Sequence, residues 1–589
     1  MQPKIGVPLK SAWILSITIA LMMVLSLGHQ AVAQTKPDFG PNVYIVDPSM
    51  SSSTIETTLT SLANEPQFST NRYAVLFMPG TYNIEAPVGY YESIAGLGDT
   101  PGAVTINGFL TPNFGSADPG SNLTLTFWRS MENMTINAST DTAQNAAPNT
   151  LQWGVSQGTA LRRLQINGSL ELTDSYCGYA SGGFIADSQV TGNVNSCSQQ
   201  QWFTRNSVIG SWTGSVWNMV FSGVEGAPFP DYPSNSFTVL PTTPVSREKP
   251  FLYTDRNGNY RVFVPVERAN SSGVSWSGRF GNGYSLSIDD FFIAQPSTSL
   301  AAVNEALARG KNLILTPGIY QYSGAIKIAH PNTIVLGLGY ATLVPQTGTP
   351  AIQVADVDGV RIAGLLMDAG PVNSPVLLQI GNPGGWRAPH FWNPTSLNDV
   401  FFRIGGATPG TATTTLEIDS NDVILDNIWA WRADHGNGVG WTDNVADHGL
   451  VVNGDNVTAL GLAVEHYEKN QVIWNGEGGE TIFYQSELPY DVPSQSAWMN
   501  GSANGYSSYS VSAPVRTHAA YGLGVYSFFN QGLDIVEDSA ITVPNTEGVT
   551  ITDAVSVFLA GNGSITHVVN DAGGAVMNGT QTKIGRAHV

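Results

Sequence analysis

Charge is scarce in this chain. Only 12% of its 589 residues are Asp, Glu, Lys or Arg, and the 25 basic residues are outnumbered by 45 acidic ones, a formal net charge of −20. Such a surface repels polyanions, which discourages nucleic acid and polyanionic sugars such as pectin and is compatible with a neutral polymer. Cysteine is almost missing. Cys177 and Cys197 are the whole complement, too few without a nearby histidine pair for a structural zinc site. Past the N-terminus no apolar run is long enough to cross a bilayer. No Gly-x-Ser-x-Gly elbow and no phosphate loop occur, and Gly96-Leu97-Gly98 lacks the third glycine of a dinucleotide fingerprint. Metal-ligand clusters are equally lacking. The Asp-His-Gly of residues 434–436 recurs at 447–449, but without the clustered carboxylates a metal needs, so no metal and no cofactor are expected.

What is present is a repeat. Val43-Tyr44-Ile45-Val46 leads into Pro48-Ser49, a helical spacing of Ile55, Leu59 and Leu62, then Leu76-Phe77-Met78-Pro79-Gly80-Thr81-Tyr82 and Gly96-Leu97-Gly98. The same order returns as Phe291-Phe292-Ile293-Ala294, Pro296-Ser297, a helical spacing of Leu300, Val303 and Leu307, then Ile314-Leu315-Thr316-Pro317-Gly318-Ile319-Tyr320 and Gly337-Leu338-Gly339. Two homologous halves follow, and a mature chain of this length is too long for one core. After each opening the chain reads as short apolar alternations, such as Leu164-Gln165-Ile166 and Val423-Ile424-Leu425, punctuated by Asn, Gly, Asp and Ser. Starts recur about every 20–35 residues and amphipathic helices are nearly absent, a spacing that suits stacked coils sharing one core. The expected fold is all-β: two tandem right-handed parallel β-helices of the pectate-lyase kind, packed side by side, each opening helix covering the end of its stack.

The expected division is a signal peptide over residues 1–33, an N-terminal β-helix over 34–285, a C-terminal β-helix over 286–582, and a non-native tail over 583–589. Lys4 and Lys10 precede an apolar run and the small-x-small site Ala31-Val32-Ala33, the pattern of a cleaved secretory leader, so an extracellular location is expected. Residues 270–287, rich in Ser, Gly and Asn, are read as the linker, and the Pro-rich stretch 228–244 as a long loop of the first half. In an exported protein Cys177 and Cys197 most simply form a disulfide, stabilising by about 3 kcal/mol through loop closure; two buried thiols on neighbouring coils are the other reading.

The densest polar and aromatic stretch runs from Glu465-His466-Tyr467 to Gln485-Ser486-Glu487-Leu488-Pro489-Tyr490-Asp491. Glu465 and Glu487 are one coil apart, which would set their carboxyls on adjacent strands about 4.8 Å apart. Two such groups cannot both ionise freely, and the one that keeps its proton can donate it to a leaving alcohol. Trp429, Trp431 and Trp441 flank a glycine-rich turn carrying Asp434 and His435, a set suited to stacking on sugar rings and bonding their hydroxyls. The alternative for each Trp is packing between the halves.

At these residues the chain resembles the family-55 glycoside hydrolases, β-1,3-glucanases (laminarinases) built as paired β-helices. The resemblance spans nearly the whole mature chain. It implies Glu487 as general acid and Glu465 as the second active-site glutamate. From Val155-Ser156-Gln157 and Tyr179-Ala180-Ser181-Gly182-Gly183 it implies that Gln157 and Ser181 hold the nucleophilic water, and it adds Trp431 and Tyr490 to the sugar site. The implied activity is exo-acting hydrolysis of β-1,3-glucan with inversion, a glucan 1,3-β-glucosidase, by a secreted monomer. The competing readings are another β-helix carbohydrase, of the pectin lyase or polygalacturonase type, and a non-catalytic polysaccharide-binding adhesin.

Overall fold

The computed structural model describes residue 1 and residues 36–114, 122–277 and 280–587. The leader expected over 1–33 and the last two residues of the tail lie outside the described residues, apart from Met1.

Strand pairing is parallel along the stacked coils of both halves. In the first, Val43–Val46 pairs with Tyr73–Phe77, which pairs with Glu92–Gly96, and the series continues through Arg129–Ala138, Ala160–Asn167, Phe184–Ala186, Gln201–Arg205 and Asn218–Ser222 to Phe237–Leu240. Each step crosses to another face of the coil before returning, the parallel crossover whose favoured hand is right. The second half repeats the scheme with two long sheets. One runs from Phe291–Ala294 through Ser396–Ile404, Ile424–Arg432, Thr458–Glu465 and Gly479–Glu487 to Val549–Gly561; the other runs from Ile326–Ile328 to Val576–Met577. Their inward residues, among them Leu315, Ile362, Leu397, Leu425 and Leu462, are fully buried in one continuous core.

Stacking explains the asparagine punctuation. Asn107, Asn137 and Asn167 each donate a side-chain N–H to the asparagine one coil back, at 2.9, 2.7 and 2.7 Å, a ladder that begins at Asn83. The opening helices also form as expected. Helix α1, Ser52–Leu62, is capped by Ser51 and buries Ile55, Leu59 and Leu62; helix α2, Leu300–Ala308, is capped by Ser299 and buries Val303, Ala306 and Leu307. Each serine satisfies an N–H that the first turn leaves without a partner, and each apolar stripe packs onto the first coils of its own stack.

One expectation needs correction. The stretch 270–287 is no bare linker. Gly283–Ser287 pairs antiparallel with Tyr260–Pro265, which pairs with Phe251–Thr254, and Glu267–Ser271 pairs with Thr243–Arg247. Phe251, Tyr253 and Phe263 bury one another, with Phe280 packed on them; that aromatic cluster overrides the loop-like composition. At the other end, part of the tail read as non-native joins the sheet: Thr582–Ala587 is an antiparallel strand beside Val549–Gly561.

The halves meet through aromatic and ionic contacts. Tyr91, Phe127 and Trp128 of the first pack with Tyr340, Phe401, Trp429 and Trp431 of the second. Arg162 binds Asp399 at 2.8 Å and Asp426 at 2.9 Å, while Arg205 binds Asp426 at 2.7 Å and Glu248 at 2.6 Å, all of them buried. Buried guanidinium groups persist only when paired in this way.

Candidate active site

The second half delivers its polar residues at the ends of neighbouring strands. Trp431 is paired with Glu465, the last residue of Thr458–Glu465. Glu487 ends the next strand, Gly479–Glu487, which pairs Gln485 with Ala463. The regular coil therefore lays the two glutamates on adjacent strands, as their spacing implies. The first half delivers Gln157 and Ser181 from irregular segments just before Ala160–Asn167 and Phe184–Ala186. Ser156 Oγ accepts the Ser181 N–H at 2.9 Å, and Gln199 Oε1 accepts the Gly182 N–H at 2.9 Å. Glycine is required beside them: a Cβ on Gly183 would lie 2.0 Å from the Trp202 ring, and one on Gly158, whose φ is +70°, would lie 2.9 Å from Trp429.

These residues converge on a cavity of about 230 Å³ between the halves, lined by Gln157, Ser181, Trp431, Asp434, His435, Glu465, His466, Glu487 and Tyr490, with Thr124, Leu125, Phe127, Gln200, Phe528 and Leu559 completing the wall. The link across the halves is direct. Gln157 Nε2 donates to Glu465 Oε1 at 2.7 Å and to Ser181 Oγ at 3.3 Å, and Gln201 Nε2 also donates to Ser181 Oγ, at 2.9 Å. Trp429 Nε1 donates to the other Glu465 oxygen at 2.8 Å. Burial, then the neighbouring Glu487 charge, push the Glu465 pKa well above the usual carboxylate range against hydrogen bonds from Trp429 and Gln485. Glu487 is raised as well, chiefly by burial, with the His466 imidazole at 3.8 Å and a hydrogen bond from the Tyr490 hydroxyl pulling the other way. Two raised carboxyls in one cleft hold a proton at a pH where exposed ones have lost theirs.

The remaining expected residues divide. Asp434 bonds His435 at 2.7 Å, and Gln67 of the first half reaches the far ring nitrogen of His435 at 2.6 Å. Burial works to raise the Asp434 pKa, but that bond and the imidazoles of His466 and His435 leave it lowered. Tyr490 stands edge-on to His466 at 4.4 Å. Trp431 is only 1% exposed: it stacks on Trp429 at 5.2 Å and lies parallel to Phe68 at 6.5 Å, so it meets the cavity as part of a packed aromatic wall and not as a free platform. Trp441 does not line the cavity; its ring lies 5.7 Å from the Arg432 guanidinium. Sequence reasoning missed Gln67, Phe68, Phe127, Gln201 and Phe528. All belong to polar loops or ordinary coils, and nothing local marks them as neighbours of residues hundreds of positions away.

Cys177 and Cys197 are bridged. With Glu171 they are the one group of three potential metal ligands that lie close together among the described residues, and the bridge uses both sulfurs. Among the described residues no lysine or arginine lines the cavity.

Fold and site together define a parallel β-helix protein with paired carboxyls in a cleft between two stacks. A family model described as the LAM55 pectate lyase-like domain matches residues 291–487. An exo-beta-1,3-glucanase of Streptomyces sp. (strain SirexAA-E / ActE) is 48% identical over 540 residues, covering 91% of this chain and 87% of that protein. The solved structure of sacteLam55A from Streptomyces sp. SirexAA-E superposes with a TM-score of 0.89 at 46% identity, covering 94% of this chain and 99% of that one. A variant of that protein solved in complex with glucose gives a TM-score of 0.89 at 46% identity over 93% and 98% of the two chains. The chain belongs to glycoside hydrolase family 55.

Proposed function

We propose that this protein is a secreted, monomeric exo-β-1,3-glucanase that cleaves laminarin-type glucan by single displacement with inversion. Its relative's activity and the glucose complex support the substrate class. The observation that carries the mechanism is the 2.7 Å bond from Gln157 to Glu465, which joins the water-holding side of one half to the carboxyl pair of the other.

In this reading Glu487, whose hold on its proton burial strengthens, gives that proton to the glycosidic oxygen as the C–O bond breaks. A water between Gln157 and Ser181 attacks the anomeric carbon from the opposite face. Neither side chain can keep the water's proton at neutral pH. Glu465, whose Oε1 accepts the Gln157 N–H at 2.7 Å, is the carboxylate within reach. The proton passes to it alongside the Ser181–Gln157 bonds. Glu465 ends protonated and Glu487 ionised, and exchange with solvent resets the pair. Asp434 and His435, locked together and to Gln67, offer fixed partners for sugar hydroxyls.

The test is to incubate the protein with laminarin, polygalacturonate and cellulose and follow reducing sugar, with proton NMR of the first product. Release of α-glucose from laminarin alone is expected. A β-anomer formed first would overturn inversion, and sugar release from polygalacturonate alone would overturn the glucanase reading. Mass analysis of the exported protein should place its first residue at Gln34.

A further inference from the structure

The two most exposed tryptophans among the described residues belong to one loop, and neither lines the cavity. Trp386 is 80% exposed, Trp392 87% and Phe391 54%, all in the loop of residues 382–393. Phe391 and Trp392 pack with ring centroids 4.6 Å apart. Three large apolar rings exposed on one short loop are costly to keep in water, and exposed aromatic surface of that kind marks a binding surface.

The loop is held rigid from behind. His390 is buried, its ring bonded to Asp358 at 2.6 Å and Asp356 at 2.9 Å, and its N–H is accepted by Asp422 at 2.7 Å. Asp356 also accepts the Ala388 N–H at 2.8 Å. The rings are thus presented on a framework fixed before any ligand arrives, which lowers the ordering cost of binding.

Topology separates this patch from the active site. The loop runs into the start of Ser396–Ile404, whereas the catalytic glutamates stand at the finish of parallel strands in the same sheet. The nine-residue strand between the two edges makes eight steps, roughly 26 Å at about 3.3 Å each. No side chain of the loop lines the cavity.

Charge selects the occupant. The loop's charged side chains are Arg387, 3.9 Å from Asp419, and His390, enclosed by its carboxylates, so the outward surface carries aromatic rings, Asn and Gly without an unpaired charge. The chain's net charge of −20 repels polyanions. An uncharged polyhydroxylated chain, with apolar ring faces for the tryptophans and hydroxyls for the asparagines, matches this surface.

We propose that the Trp386–Trp392 loop is a second carbohydrate-binding site, which holds a strand of neutral β-1,3-glucan on the face away from the catalytic cleft. This inference rests on the glucanase reading for the identity of the polymer.

The test compares the wild-type chain with Trp386→Ala/Trp392→Ala and the aromatic rescue Trp386→Tyr/Trp392→Tyr. Retention on insoluble β-1,3-glucan is measured on ice, alongside hydrolysis of that solid and of a β-1,3-linked glucose trimer. The alanine variant should bind the solid about ten-fold more weakly, a loss of about 1.4 kcal/mol, and digest it more slowly. It should cleave the trimer at the wild-type rate, and the tyrosine variant should recover retention. Unchanged retention of the alanine variant overturns the proposal. So does a parallel loss of trimer cleavage, or sedimentation showing a wild-type dimer that the variant abolishes, since the patch would then cover a second copy of the chain. Wild-type trimer cleavage tests the active-site reading separately: its absence would refute that reading whatever the retention data show.

Discussion

Replacing Glu487 by Gln removes one transferable proton and little else. The amide oxygen can still accept the Tyr490 hydroxyl, and the side chain keeps its length and its place at the end of its strand. The new NH2 group would face Gln485 Nε2, whose present contact is long, 3.4 Å, so the ground state loses at most one weak hydrogen bond, about 1 kcal/mol or less. General acid catalysis contributes about 10²–10⁴-fold, which is about 2.7–5.4 kcal/mol of barrier. The loss should therefore fall on kcat, with KM moving less than about five-fold. The assay is steady-state release of glucose from laminarin, paired with an aryl β-laminarioside whose phenol leaves without protonation. The variant should be crippled on laminarin and close to wild type on the activated glycoside. Equal loss on both substrates, or more than about a tenth of wild-type kcat retained on laminarin, would refute Glu487 as the acid.

Tyr490→Phe removes the hydrogen bond that lowers the Glu487 pKa, so the alkaline limb of kcat/KM should move to higher pH; a shift the other way would refute the assignment. Buried Glu92 has its pKa pushed up to about 8 by desolvation. Its contribution to stability is whole below the unfolded value of 4.5 and is lost progressively as pH rises to 8, so the Tm of Glu92→Gln should gain on wild type between pH 5 and pH 8 and gain nothing more above pH 8. Reducing the Cys177–Cys197 bridge reopens a loop with a sequence separation of 20 that contains Ser181. Tm should fall by the equivalent of about 3 kcal/mol and turnover should slow; unchanged values after thiol counting shows full reduction would refute both.

Much of this architecture is written locally. The paired openings place both helices because an N-cap serine and an i, i+4 apolar spacing act within one turn, and the coil length puts Glu465 and Glu487 on neighbouring strands. What escapes is anything decided between distant segments. Trp429 and Trp431 point the same way because strand residues alternate, and that face is the seam between the halves, so Trp431 is packed where its glycine-rich surroundings suggest exposure. Gln67 and Phe68 sit in a polar loop after α1 and meet His435 and Trp431 only through the folded seam. The antiparallel strands of residues 243–287 are hidden because Ser, Gly and Asn there outnumber the few aromatics that hold them.

The buried ion network also bears on how this protein can fail. Arg162 and Arg205 belong to the first half, and their partners Asp399 and Asp426 to the second. Peeling one half away would take Asp399 and Asp426 from Arg162 and expose to water the rings of Tyr91, Phe127, Trp128, Trp429 and Trp431 that the seam buries. Neither half is a sound fragment to express alone, and a ribosome that stops between them makes an inert product. On heating, the seam ties both stacks to one cooperative event, so residual activity should report the folded fraction of the entire molecule.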